Sequence, residues 1–251
     1  MQSTKSILLA FLAFGLVLNS CKKDEEDPET PAPSAAAPSS PIPAPTGSDG
    51  ALVAIHTATY ITAPIVGEIY QPIGVGVAVF GDLVNGTFEN VGTVSLNGNN
   101  FTSQSNQSYV YTPSATDIDG IDLSTDINWN VSGGGSFSSF AASPNNEIPS
   151  GPKYSGPTTI PRTAAFTLSS STQILSADSI IFNVISPSGN LLKTVAGNIS
   201  SVEFTAAEMG TLAAGNGYVQ IVPYNIEAQT IGGKQIYLIN ESVSTNAVTF
   251  Q

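Results

Sequence analysis

Three sets of residues in this 251-residue chain have the types and spacing to carry chemistry. Cys21, the single cysteine, closes the run Leu18-Asn19-Ser20-Cys21 directly behind an apolar stretch. Bacterial signal sequences present a thiol for lipid attachment in this arrangement and are cut just before it. Asp117, Asp119, Gly120 and Asp126 fall on third, fifth, sixth and twelfth places of a calcium-loop pattern, in which a turning backbone brings several oxygens onto one hard cation. Ala115 stands at the first place, and aspartate at the last has a shorter reach than glutamate, so a solvated acidic turn is the competing reading. His56 is the only histidine and so the only imidazole base. It sits in a strand-like run with Tyr60 at the same-face spacing, which suits a packed or edge residue. Neither G-x-S-x-G nor H-E-x-x-H is present, and nineteen acidic residues nominate no particular carboxylate pair. The expectation is a non-enzyme with no cofactor, no metal and no catalytic residue.

The residues ahead of Cys21 have the parts of a secretory signal. Lys5 supplies a positive start, and Ile7 to Leu18 is an apolar run too short to span a bilayer as a helix. Residues 1–20 are therefore expected to be a lipoprotein signal peptide, and Cys21 to be the lipidation site. An ordinary signal followed by an unpaired cysteine, or a buried N-terminal helix, is the alternative. Two or three acyl chains would make the anchoring effectively permanent, where one chain binds only marginally. With no second cysteine there is no disulfide framework, and stability must come from burial.

The chain carries seven basic against nineteen acidic residues, a formal charge of −12. A protein that neutralises phosphates needs a basic stripe. Beyond residue 50 the basic residues are only Lys153, Arg162, Lys193 and Lys234, so nucleic acid is excluded as a partner.

Behind the cysteine, Lys22-Lys23-Asp24-Glu25-Glu26-Asp27 resembles the acidic cluster of Bacteroidota-type surface lipoproteins. The resemblance implies transport across the outer membrane and display on the cell surface; a solvated charge run is the alternative. Residues 28–46 then hold seven prolines among alanine and serine, a composition that cannot fold and favours polyproline II. Residues 21–50 read as lipid anchor, acidic cluster and Pro-rich linker, able to hold a folded body up to ~60 Å from the lipid. A mucin-like stalk is a second reading of the same Ser/Thr/Pro content.

From Ala51 onward the chain reads as all-β, with one or two β-sandwich units. Strands are expected at 52–61, 75–81, 91–98, 108–113 and 127–133, with Asn85-Gly86 and Asn97-Gly98 as turns between them. Trp129 reads as a core anchor, with an exposed sugar-stacking role as the alternative. A stretch rich in Gly, Pro, Ser and Asn follows Val131 and suits a linker or long loop, so the boundary is placed near residue 150. The expected units are 51–150, an N-terminal β-rich unit, and 151–251, an immunoglobulin-like sandwich.

In the second unit, strands are expected at 164–169, 178–186, 189–197, 200–205 and 218–225. Pro187-Ser188-Gly189 marks a hairpin, and Thr205-Ala206-Ala207-Glu208 a capping box opening a short helix. Leu212, Gly215 and Tyr218 have the spacing of a tyrosine corner, and here the unit resembles fibronectin type III and other immunoglobulin-like sandwiches. The resemblance implies that the Tyr218 hydroxyl ties back to the backbone; Ala214 departs from the proline usual there. Asp178-Ser179-Ile180 resembles the short motif at which Bacteroidota-type bacteria attach O-glycans, although a strand interior is a poor acceptor.

Taken together these readings lead to a lipid-anchored outer-membrane or cell-surface protein, a non-enzymatic binding or adhesion module for a glycan or a surface protein. A structural or accessory subunit of an outer-membrane assembly, such as polysaccharide uptake or a surface fibre, is the alternative.

Overall fold

The computed structural model describes residues 47–251 apart from Pro64 and Val66. The expected signal peptide, Cys21, the acidic cluster and the Pro-rich segment lie outside the described residues. In chain order the first half supplies β1 (Gly50–Ala63), β2 (Gly67–Asp82), β3 (Thr87–Phe88), β4 (Val94–Leu96), β5 (Asn99–Asn100), β6 (Thr102–Ser103), β7 (Tyr109–Tyr111), β8 (Trp129–Val131) and β9 (Phe140–Ala142). The second half supplies β10 (Thr159–Ile160), β11 (Phe166–Ser169), β12 (Ser179–Ser186), β13 (Gly189–Ala196), β14 (Ser201–Phe204), the helix α1 (Ala206–Met209), β15 (Gly215–Ile231) and β16 (Lys234–Phe250).

The chain is all-β, and its strands among the described residues form three sheets. The largest runs β13-β12-β15-β16-β1-β2-β7-β6, with β10 beside β16 and β3 beside β2. The others are the four-stranded β5-β4-β8-β9 and the two-stranded β11-β14. Each smaller sheet packs on the large one as the second layer of a sandwich. Beneath β5-β4-β8-β9, Val94, Leu96, Trp129 and Val131 meet Leu52, Ala78, Phe80 and Leu238. Beneath β11-β14, Leu168 and Phe204 meet Phe182, Val219, Ile221 and Phe250, with Met209 of α1 closing the end.

Both cores lie on one face of the large sheet. The opposite face carries a third cluster that includes Val53, Ile55, Val222, Tyr224, Ile239 and Val243. Apolar residues alternate onto both faces of β1, which explains why its sequence is nearly continuous in small and branched apolar residues.

β16 was not among the strands expected from sequence, and it joins the whole architecture. It pairs antiparallel with β15 along most of its length and parallel with β1 from Gly50↔Ile236 to Thr57↔Val243. Ile236 and Leu238 enter the first core, and Val248 and Phe250 enter the second. Strands from either side of residue 150 thus share one hydrogen-bonded sheet. β2 also begins at Gly67, ahead of the expected start, because its first residues pair with β1 out to Ala63.

Local chemistry sets the ends of several elements. Asn97 and Gly98 both adopt positive φ, 48° and 82°, as the tight β4–β5 hairpin requires. In α1 the Thr205 side chain accepts from the Glu208 N–H at 3.3 Å, while the Glu208 carboxylate accepts from the Thr205 N–H at 2.7 Å. This reciprocal cap satisfies two amides that the first turn leaves free. The tie expected of Tyr218 is not made. The residue lies within β15 opposite Ile185 and Ala247, and its hydroxyl has no hydrogen-bond partner among the described residues.

Candidate functional site

The stretch that read as a linker is a strap across the sheet between the two cores. Side chains of the large sheet bind its carbonyls: Asn225 donates to Glu147 O at 2.8 Å, Asn240 to Asn146 O at 2.5 Å, and Ser242 to Pro149 O at 2.6 Å. Glu227 in turn accepts from the backbone and side-chain amides of Asn145 at 2.7 and 2.8 Å. Beyond the strap, Tyr60 donates to Gly151 O at 3.2 Å, and Lys153 lies over the Tyr60 ring and pairs with Glu68. Asn240 and Ser242, residues that look unsuited to a central strand, are buried there with strap carbonyls accepting from the Asn240 side-chain N–H and the Ser242 hydroxyl, though Asn240 Oδ1 has no partner.

The four carboxylates of the acidic loop do not converge. Asp117 accepts from the Tyr111 hydroxyl on β7, and that bond, more than burial, pushes the Tyr111 phenol up to about 12. Asp119 accepts from Gln71 of β2 at 2.5 Å, and Asp122 from Ser124. Asp126 is exposed, and its backbone carbonyl accepts from Asn128. No group of three or more His, Cys, Asp and Glu able to hold a metal ion occurs among the described residues. The loop is laced onto β2 by backbone instead. Gly74 N–H donates to Asp119 O at 2.9 Å, and Ile121 N–H to Gly74 O at 3.0 Å. A Cβ on Gly74 would stand 1.8 Å from Ile121 O, so only glycine permits the approach.

His56 lies on β1 between Gly74 of β2 and Ser242 of β16. Burial lowers its pKa against a smaller upward pull from Asp122. Its ring makes no hydrogen bond to any described residue. Trp129 is the core anchor expected, 1% exposed, with Phe101 edge-on at 5.3 Å between ring centroids. Ser179 opens β12, partly exposed and flanked by Ala196 and Tyr224 on neighbouring strands.

The outward face of the four-stranded sheet offers a groove. With Trp129 and Val131 turned inward, Asn130 turns outward, and across the register Ser95 and Ala141 stand beside it. Thr93, Ser132 and Ser139, with the apolar Val131 and Phe140, complete the lining of a shallow groove of about 430 Å³ that contains no charged side chain. Sequence reasoning did not single out these residues. The signal was the alternation Val94-Ser95-Leu96 and Trp129-Asn130-Val131, whose polar members point away from the core.

The tip of the β1–β2 hairpin is also exposed. Ile65 is 97% exposed, with Ile69 and Tyr70 partly so. No helix among the described residues is long and apolar enough to cross a membrane. No family model, no curated protein and no solved structure matches the chain.

Proposed function

We propose that this chain is a surface-displayed, lipid-anchored binding or adhesion module that acts without catalysis of its own. Residues 1–20 direct export, Cys21 carries the lipid, and the acidic and Pro-rich residues behind it hold the folded body away from the outer membrane. The observation that carries the reading is the groove over Ser95, Asn130 and Ser132. Its neutral hydroxyl and amide lining offers donors and acceptors to a polyhydroxylated or peptide ligand, on a layer held in place by the buried Trp129.

Residues 22–251, produced without signal and lipid, should retain a subset of glycans or surface proteins on an array and in a pull-down. Asn130→Ala combined with Ser95→Ala should abolish retention while leaving the unfolding midpoint unchanged. No retention of either class by the parent would remove this reading.

A second reading, as a subunit of an outer-membrane assembly, is supported by β13. This eight-residue strand pairs with β12 alone and leaves one edge of the large sheet open, a template for strand addition. Co-purification of stoichiometric neighbours from native membranes, lost on substituting proline for Thr194, would favour it.

A further inference from the structure

Glu241 occupies a place in β16 where a carboxylate has nothing to pair with. It stands opposite Tyr224 of β15 and Ile55 of β1, flanked along its own strand by Ile239 and Val243 on the same face. It is 2% exposed, and its Oε1 has no hydrogen-bond partner. From β15 the only titratable group facing it is the Tyr224 phenol, with Asp178 beyond. From β1 it meets Ile55 and Thr57, whose own Oγ1 is buried without a partner. The four described cations are engaged elsewhere: Lys153 with Glu68, Lys193 with Glu208, Lys234 with Asp49, and Arg162 with Leu212 O.

The position is also where the two sandwiches join. β16 feeds the first core through Ile236 and Leu238 and the second through Val248 and Phe250, with Glu241 between. The β15–β16 ladder is interrupted beside it, at Val222 and Pro223, and proline has no N–H to contribute.

We propose that Glu241 is a proton-operated clasp at this joint. Protonated, it sits as a neutral acid on the apolar face and the joint stays closed; ionised, it leaves an uncompensated charge there and favours opening of residues 240–244. Burial of an unpaired carboxyl favours the neutral form, and it pushes Glu241 up to about 7.

The sign of the effect follows from proton binding. The unfolded chain releases this proton in the ordinary carboxylate range, whereas the folded chain keeps it to near neutrality. Stability from this group is therefore full below the unfolded value, falls as pH rises toward 7, and is flat above. Carboxylates held low by hydrogen bonds, such as Asp82 and Glu208, change stability only at more acid pH. His56, on the opposite face and lowered by burial, works in the opposite sense below its ordinary value, and Tyr224 ionises only at high pH.

The test compares the full chain, in detergent micelles, with E241Q on the same His56 background from pH 4.5 to 8. The unfolding equilibrium constant of the parent, relative to E241Q, should rise by about a hundredfold across that range. Amide exchange at 240–244 should accelerate with it in the parent alone. A parent-to-variant ratio independent of pH would overturn the proposal. Should E241Q not fold, carbon-13 titration of the parent's glutamate carboxyls decides: one carboxyl titrating near neutrality supports the clasp, and all titrating in the ordinary range overturns it.

Discussion

The two sandwiches share one sheet yet hold their outer layers by different means. In the first, the outer strands are two or three residues long and contribute few ladder bonds. Position there comes from large interlocking side chains. Phe80 packs edge-on against Tyr109, Phe137 and Phe140, and Phe101 against Trp129. Side-chain-to-backbone bonds fill the gaps between strands: Tyr109 Oη accepts from Val91 N–H at 2.8 Å, and Ser132 Oγ from Thr93 N–H at 2.7 Å. In the second, four buried phenylalanines make no ring pair with one another among the described residues. Its outer layer rests on the longer β11–β14 ladder and on α1, capped by Thr205 and Glu208 and tied to β13 through the Lys193–Glu208 pair at 2.9 Å. Where short strands cannot hold a layer by backbone alone, shape-matched aromatics must, and the polar residues left over on the outside are free to form a groove.

Truncating the aromatic anchor is the hardest blow to this contrast. Trp129→Ala should cost about 3–5 kcal/mol in chemical denaturation and lose the Phe101 contact. Leu168→Ala, beneath the other layer, should cost about 2–5 kcal/mol while leaving the groove side chains in place. Equal loss of groove order in both variants, read by amide exchange at 93–95 and 130–132, would show that the two layers are not held separately.

Tyr109→Phe sharpens the comparison at the level of one hydroxyl. It strands the buried Val91 N–H, a loss of about 1–3 kcal/mol confined to the first layer. An unchanged midpoint would mean that packing alone seats this layer. Thr205→Ala, the smallest effect, should cost about 1 kcal/mol and accelerate exchange in 206–209 without disturbing the first sandwich. Accelerated exchange around Trp129 in that variant would break the separation from the other side.

Much of the second half was legible because its signals are local. The capping box at Thr205, the Pro187-Ser188 turn and the apolar run Ile180 to Ile185 each declare themselves within a few residues, and each is present in the structure. β16 escaped notice because Asn240, Glu241, Ser242 and Ser244 interrupt any apolar pattern in Glu241's neighbourhood. One local mark was available: Gly232 and Gly233, both at positive φ, form the two-residue turn that folds β16 back on β15. The acidic loop looked like a cation site in one dimension. In three, Asp117 and Asp119 are drawn to Tyr111 and Gln71 on different strands, and no spacing rule anticipates those partners.

By itself the sequence determined the all-β class, the turns at Asn97-Gly98 and Pro187-Ser188 and the capping box at Thr205, because these depend on contacts between near neighbours. Only the tertiary structure decided that a polar row can run through the central strand. The Asn240 side-chain N–H and the Ser242 hydroxyl donate to carbonyls of Asn146 and Pro149, 94 and 93 positions away along the chain, while Asn240 Oδ1 is left without a partner. A buried polar group is tolerable or costly according to who stands opposite it. The strap stands opposite these two, whereas no donor reaches Glu241 Oε1 on the other face of the same strand.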